Sequence, residues 1–233
     1  MIEKVKKQVY ELLSSDDSGH GIEHINRVLK LSLKFAREEK ANEEVVALIA
    51  LLHDVDDYKL FGSESSEKLP NARLFMNNAN IDKDKQEQVI SELNSIGYSK
   101  LLNGLRPTSI EGKIVSDADM CDAIGINGIL RTFTYSTKNN KPFFDKDIFP
   151  IENMDASKYT RKCADSSVCH IFEKVLKLKG LMLTESGKKE IENRHKITVD
   201  ILYQLFEEED ALEWKKYLDN FLNENYGYQK NKK

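Results

Sequence analysis

The run VVALIALL at 45–52, followed at once by His53–Asp54, constrains this chain more than any other feature. An apolar segment with no polar face cannot lie on a surface, so other elements must enclose it. Asn42 can cap it, and Glu43 and Glu44 place negative charge in its first turn, which marks the start of a helix. The enclosed helix then ends in an imidazole and a carboxylate. Burying either one without a partner is costly. A divalent cation is one of the few partners that satisfies both.

The rest of the chain reads as helices around this one. Ile2, Val5, Val9, Leu12 and Leu13 share a face over 2–13, and after the polar break SSDDSG (14–19) the period continues from Ile22 to about Glu39 through Ile25, Val28, Leu29 and Phe35. Residues 57–70 read as irregular, and helices follow near 71–79 and 82–95, the second started by Asp82. Thr108 and Glu111 form a T-x-x-E capping box for a long helix that carries Asp117, Asp119 and Asp122. Gly125 and Gly128 kink that helix or allow close packing. Residues 136–158 form the longest loop, with either no regular structure or a short hairpin inside 136–150. Helices near 161–178, 184–208 (capped by Thr184) and 210–223 complete the chain. The expected fold is all-α, a single-domain helical bundle over 1–233.

Few prolines and glycines, four and eleven, argue against an all-β fold with its many turns. A net charge of −4 offers no general attraction to nucleic acid. Cys121, Cys163 and Cys169 are odd in number and lack a CxxC pair, which reads as free thiols in a reducing cytoplasm. The opening MIEKVKKQVYELL is amphipathic and charged, unlike a signal peptide. No apolar stretch approaches the roughly 20 residues of a membrane span. Cytoplasmic location without membrane contact is the expectation, and amphipathic helices at both ends suit a homodimer.

Imidazole and carboxylate together suit divalent ions such as Mn, Fe(II), Co, Ni or Zn. His20 and His24 are four residues apart and share one helix face or its entry turn. With His53 and Asp54 on a second helix and Asp117 on a third, three helices can hold an ion in a bundle core. Arg27, Lys59, Arg106, Arg131 and Lys113 are the cations that could meet an anionic substrate, arginine binding oxyanions bidentately. A ligating histidine needs a partner for its other nitrogen, and Asp119 or Asp122 can supply it. Asp122 reads equally as a buried acceptor between helices. His170 and His195 read as structural residues, and Phe133 and Tyr135 as core packing.

The segments HGIEHINRV (20–28), LLHDVDDYK (51–59) and DADMCDAIG (117–125) resemble the HD-domain metal-dependent phosphohydrolase superfamily. The stretches at 112–135, 168–182 and 184–195 resemble its small single-domain bacterial subgroup, called YpgQ-like or YedJ-like. The resemblance spans roughly residues 15 to 208, with departures at Ser116, Met120 and Cys121. It implies an HD core at about 15–135, C-terminal helices at about 160–223 packed on it, and a tail at 224–233. It also implies His24, His53, Asp54 and Asp117 as ligands of one divalent ion, manganese first, with Mg, Co, Ni, Fe or Zn as alternatives. No histidine lies between 54 and 117, where two-metal members add them.

Asp57 matches an acidic residue that orients water or protonates the leaving group, with Asp56 as the alternative. His20 either bonds to a ligand carboxylate or the attacking water, or caps its loop. The implied activity is hydrolysis of a nucleotide, foremost a nucleoside or deoxynucleoside triphosphate to a monophosphate and pyrophosphate. The rivals are a monophosphate phosphatase, an alarmone hydrolase, and a non-catalytic nucleotide sensor.

Overall fold

The structure, a computed structural model, describes residues 1–14, 21–151 and 166–227. Among the described residues it is built of helices with no strand. In chain order the α-helices are α1 (Ile2–Leu13), α2 (Ile22–Glu39), α3 (Glu43–Leu52), α4 (Tyr58–Phe61), α5 (Ser63–Lys68), α6 (Pro70–Asn78), α7 (Lys83–Leu93), α8 (Tyr98–Leu102), α9 (Ile110–Asp122) and α10 (Gly125–Lys138). After them come α11 (Ser167–His170), a π turn (Ile171–Val175), a 3-10 turn (Leu176–Leu181), α12 (Glu185–Glu208) and α13 (Leu212–Tyr226). The all-α expectation holds. No hairpin forms within 136–150, and the segment expected as irregular, 57–70, contains two short helices.

α3 is the centre of the bundle. Every residue of VVALIALL is buried, and α1, α2, α7 and α9 pack around it. Each buried Val, Leu or Ile contributes roughly 1.5–3 kcal/mol of transfer free energy, so this segment anchors the core. Asn42 caps α3 as its sequence suggests: its Oδ1 accepts from Glu44 N at 3.0 Å and Val45 N at 3.3 Å. α2 packs along both α3 and α9, burying Ile25, Val28, Leu31 and Phe35.

The start of α9 differs from the expected capping box. Ser109, not Thr108, is the cap, its Oγ accepting from Gly112 N at 3.0 Å. Thr108 turns instead to the buried Glu92, whose carboxylate accepts from Thr108 N, Thr108 Oγ1 and Ser109 N. Glu111 reaches across to accept from Asn42 N. A tertiary carboxylate has displaced a local motif. The long helix breaks at 123–124, where Gly125 takes φ +78° and its N–H donates to Thr198 Oγ1 at 3.0 Å.

Candidate metal centre

α2, α3 and α9 bring their polar ends to one point. His53 follows the last residue of α3, and its Nδ1 lies 2.8 Å from the Ala50 carbonyl. A carbonyl only accepts, so Nδ1 carries the proton and Nε2 is left with a lone pair. His24, in the first turn of α2, donates from Nδ1 to Asp122 Oδ2 at 2.7 Å, which leaves its Nε2 in the same state. These two Nε2 atoms are 3.1 Å apart. Asp54 Oδ2 stands 3.3 Å from His24 Nε2 and 3.5 Å from His53 Nε2. Asp119 Oδ1 stands 3.5 and 3.9 Å from the same two nitrogens.

Lone pairs and carboxylate oxygens so close together repel one another unless something positive lies among them. Donors about 2.1 Å from a common ion and at right angles would be about 3 Å apart, close to the separations here. The donor set therefore fits one divalent ion. A proton offsets the same repulsion. Burial alone would depress the His24 imidazole, but its bonds to Asp122 and Asp54 outweigh burial and raise its pKa to about 9.

Asp122 organises the layer behind the cluster. It accepts from His24, from Arg27 Nε at 2.7 Å and Nη2 at 3.0 Å, and from Arg131 Nη1 at 3.1 Å. Burial opposes its charge, yet His24 and the guanidiniums hold its carboxyl far below the usual range. This carboxylate–histidine pair fixes the tautomer and ring orientation that a metal ligand needs. Arg27, expected to bind substrate, is thus bound to Asp122. Arg131 shares that carboxylate while still lining the cleft.

Asp117 is the clearest correction. The structure does not bring it to the cluster; Asp119 stands there instead. The Asp117 carboxylate is fully buried and accepts from Leu183 N at 2.9 Å, Thr184 N at 2.8 Å and Thr184 Oγ1 at 2.7 Å. It fastens the start of α12 to α9. Spacing on α9 separates the two: Asp119 and Asp122 are three apart and share a helix face, whereas Asp117 lies on the other side. Once Asp122 is the partner of His24, Asp119 is the carboxylate beside it.

A cleft opens over the cluster, lined by His53, Asp54, Asp119, Asp57, Lys59 and Arg131 together with residues of α8 and the π turn. Asp57 caps α4, its Oδ1 accepting from Lys59 N at 2.8 Å. Asp56 is buried and structural, accepting from Ser65 Oγ, Asn71 N and Ala72 N. Arg106 lies exposed in the loop before α9 and is not among the lining residues, nor is Lys113. His20 falls outside the described residues. Sequence reasoning missed Tyr98, Lys100 and Lys174, which share no motif with the cluster residues and reach the cleft only through the fold.

Comparison with known proteins agrees with this architecture. The HD domain family model matches residues 21–124, which contain the whole cluster. YpgQ of Bacillus subtilis is 29% identical over 205 residues, covering 87% of this chain and 91% of YpgQ. Its crystal structure in complex with ADP superposes with a TM-score of 0.67 at 27% identity, covering 89% of this chain and 97% of that one. A structure from Lactobacillus plantarum reaches a TM-score of 0.79 at 30% identity, covering 90% and 97% of the two chains. An HD-superfamily hydrolase of Bacillus thuringiensis gives a TM-score of 0.69 at 31% identity, with the same coverage of 90% and 97%. With the His, His–Asp and Asp donors gathered as described, the chain belongs to the HD superfamily of hydrolases.

Proposed function

We propose that this protein hydrolyses a nucleoside or deoxynucleoside triphosphate in the cytoplasm, releasing pyrophosphate and a monophosphate. His24, His53, Asp54 and Asp119 would hold one divalent ion, manganese foremost. The observation that carries the reading is the meeting of two tautomer-locked imidazoles and two carboxylates on the wall of a cation-lined cleft. Bound there, such an ion supplies Lewis acidity and lowers the pKa of water toward neutrality.

The chain's own groups do the rest. Asp57, on the cleft wall, orients the attacking water and holds the proton it gives up. Oxygen of that water bonds to the α-phosphorus as the bond to the α–β bridging oxygen breaks, and the electron pair leaves with pyrophosphate. Arg131 and Lys59 offset the charge that grows on the phosphoryl oxygens. Asp122 keeps the His24 ring in place throughout. The ADP complex of YpgQ supports a nucleotide as the ligand class.

The test is to strip the protein of metal, reload it ion by ion, and assay triphosphates with identification of the products. Pyrophosphate plus monophosphate is expected. Orthophosphate as the sole inorganic product would replace this reading with a phosphatase. Tight binding without turnover at every metal and pH tried would replace it with a sensor.

A further inference from the structure

The cleft carries positive charge beside the cluster's acidic groups, and its lysines come from separate parts of the chain. Lys174 belongs to the π turn. Ile171, Phe172 and Val175 of that turn are buried, and Glu173 is buried with its Oε1 accepting from Ile151 N at 2.8 Å. Lys174 is the one residue of the turn left partly exposed, and it lines the cleft. π turns within helices are frequent at functional sites. The Lys174 Nζ stands 4.8 Å from the centroid of the Tyr98 ring, which lines the same cleft.

Two further lysines line the cleft. Lys59 enters the cleft from α4 and Lys100 from α8, the Lys100 Nζ donating to the Leu93 carbonyl at 3.0 Å. Burial first, then the charges of Lys174, Lys59 and Lys141, hold the neighbouring His170 imidazole down to about 3. In the reading above, a single phosphoryl group at the cluster would already be met by the ion, Arg131 and Lys59, which leaves Lys100 and Lys174. Additional lysines in the same cleft match the additional negative charge of a longer phosphate chain. Stacking on Tyr98 fixes the Lys174 ammonium before any anion arrives, which reduces the ordering cost of the contact.

We propose that Lys174 is a specificity-determining residue that holds the phosphates beyond the one attacked, so that the cleft selects a phosphoanhydride tail over a phosphomonoester. The inference rests on the hydrolase reading above and deepens it.

The experiment is calorimetric titration of manganese-loaded wild-type, Lys174→Met and Lys174→Arg proteins with α,β-methylene-ATP and with AMP, at constant excess manganese. Loss of one charge-assisted contact should weaken the triphosphate analogue about 10- to 100-fold in Lys174→Met and AMP by less than about 3-fold. Lys174→Arg should recover most of the loss. Lys174→Gln supplies the same comparison if Lys174→Met melts early. Equal weakening of both ligands, no change in either, or no binding of the analogue by the wild type overturns the proposal. Absence of ATP or dATP hydrolysis by the wild type would sink the hydrolase reading alone, so the two failures are distinguishable.

Discussion

Asp117 and Asp119 lie two residues apart on α9, and a helix turns about 100° per residue, so their side chains leave in nearly opposite directions. One faces the histidines and the other the start of α12. Asp119→Asn should lower metal affinity by an order of magnitude or more while the fold persists. Asp117→Ala should cost about 2–4 kcal/mol of stability, because it strands the buried donors of Thr184 and the half-buried Leu183 N–H, while folded molecules keep the capacity to bind metal. Metal titration and urea unfolding of the two variants separate these outcomes. Asp57→Ala should retain the metal and slow turnover roughly 10²–10⁴-fold, read from kcat with metal content measured in parallel. His24 gives a pH signature. Its pKa in the metal-free fold is raised from 6.5 to about 9, so the stability it contributes is complete below about pH 6.5 and is lost as pH rises through about 9. Urea midpoints of chelated protein should therefore fall over that window. Metal affinity should rise over the same window, since the ion displaces the proton.

At the scale of elements, hydrophobic period and local caps located most helices. α1 buries Val5, Val9 and Leu13 as its spacing requires, and Asn42, Asp82 and Thr184 cap α3, α7 and α12 as read from the chain. The T-x-x-E box at 108–111 misled because Glu92, sixteen residues from Thr108, offers a buried carboxylate to the same donors. Local motifs are in competition with tertiary partners that no window of sequence includes. The start of α12 shows how tightly such junctions fit. A Cβ on Gly187 would lie 2.3 Å from Asp117 Oδ2. Gly187→Ala should destabilise by at least about 1–3 kcal/mol, with a lowered urea midpoint as the measurement.

For the molecule as a whole, the site is a convergence of α2, α3 and α9 rather than a feature of any one of them. Metal that binds the fold and not the unfolded chain stabilises by mass action, about 2.7 kcal/mol at a hundredfold excess over Kd. Thermal melting of stripped protein should shift upward with added manganese, and His53→Ala should abolish the shift. Among the described residues no helix is long and apolar enough to cross a membrane. Sequence alone determined the helical class, the enclosed α3 and the residue types that could hold an ion, because periodicity and burial cost act locally along the chain. Only tertiary structure decided which aspartate faces the histidines, that Arg27 serves Asp122, and that Lys100 and Lys174 enter the cleft. Those assignments depend on the relative rotation of packed helices, which is set by contacts between residues distant in sequence.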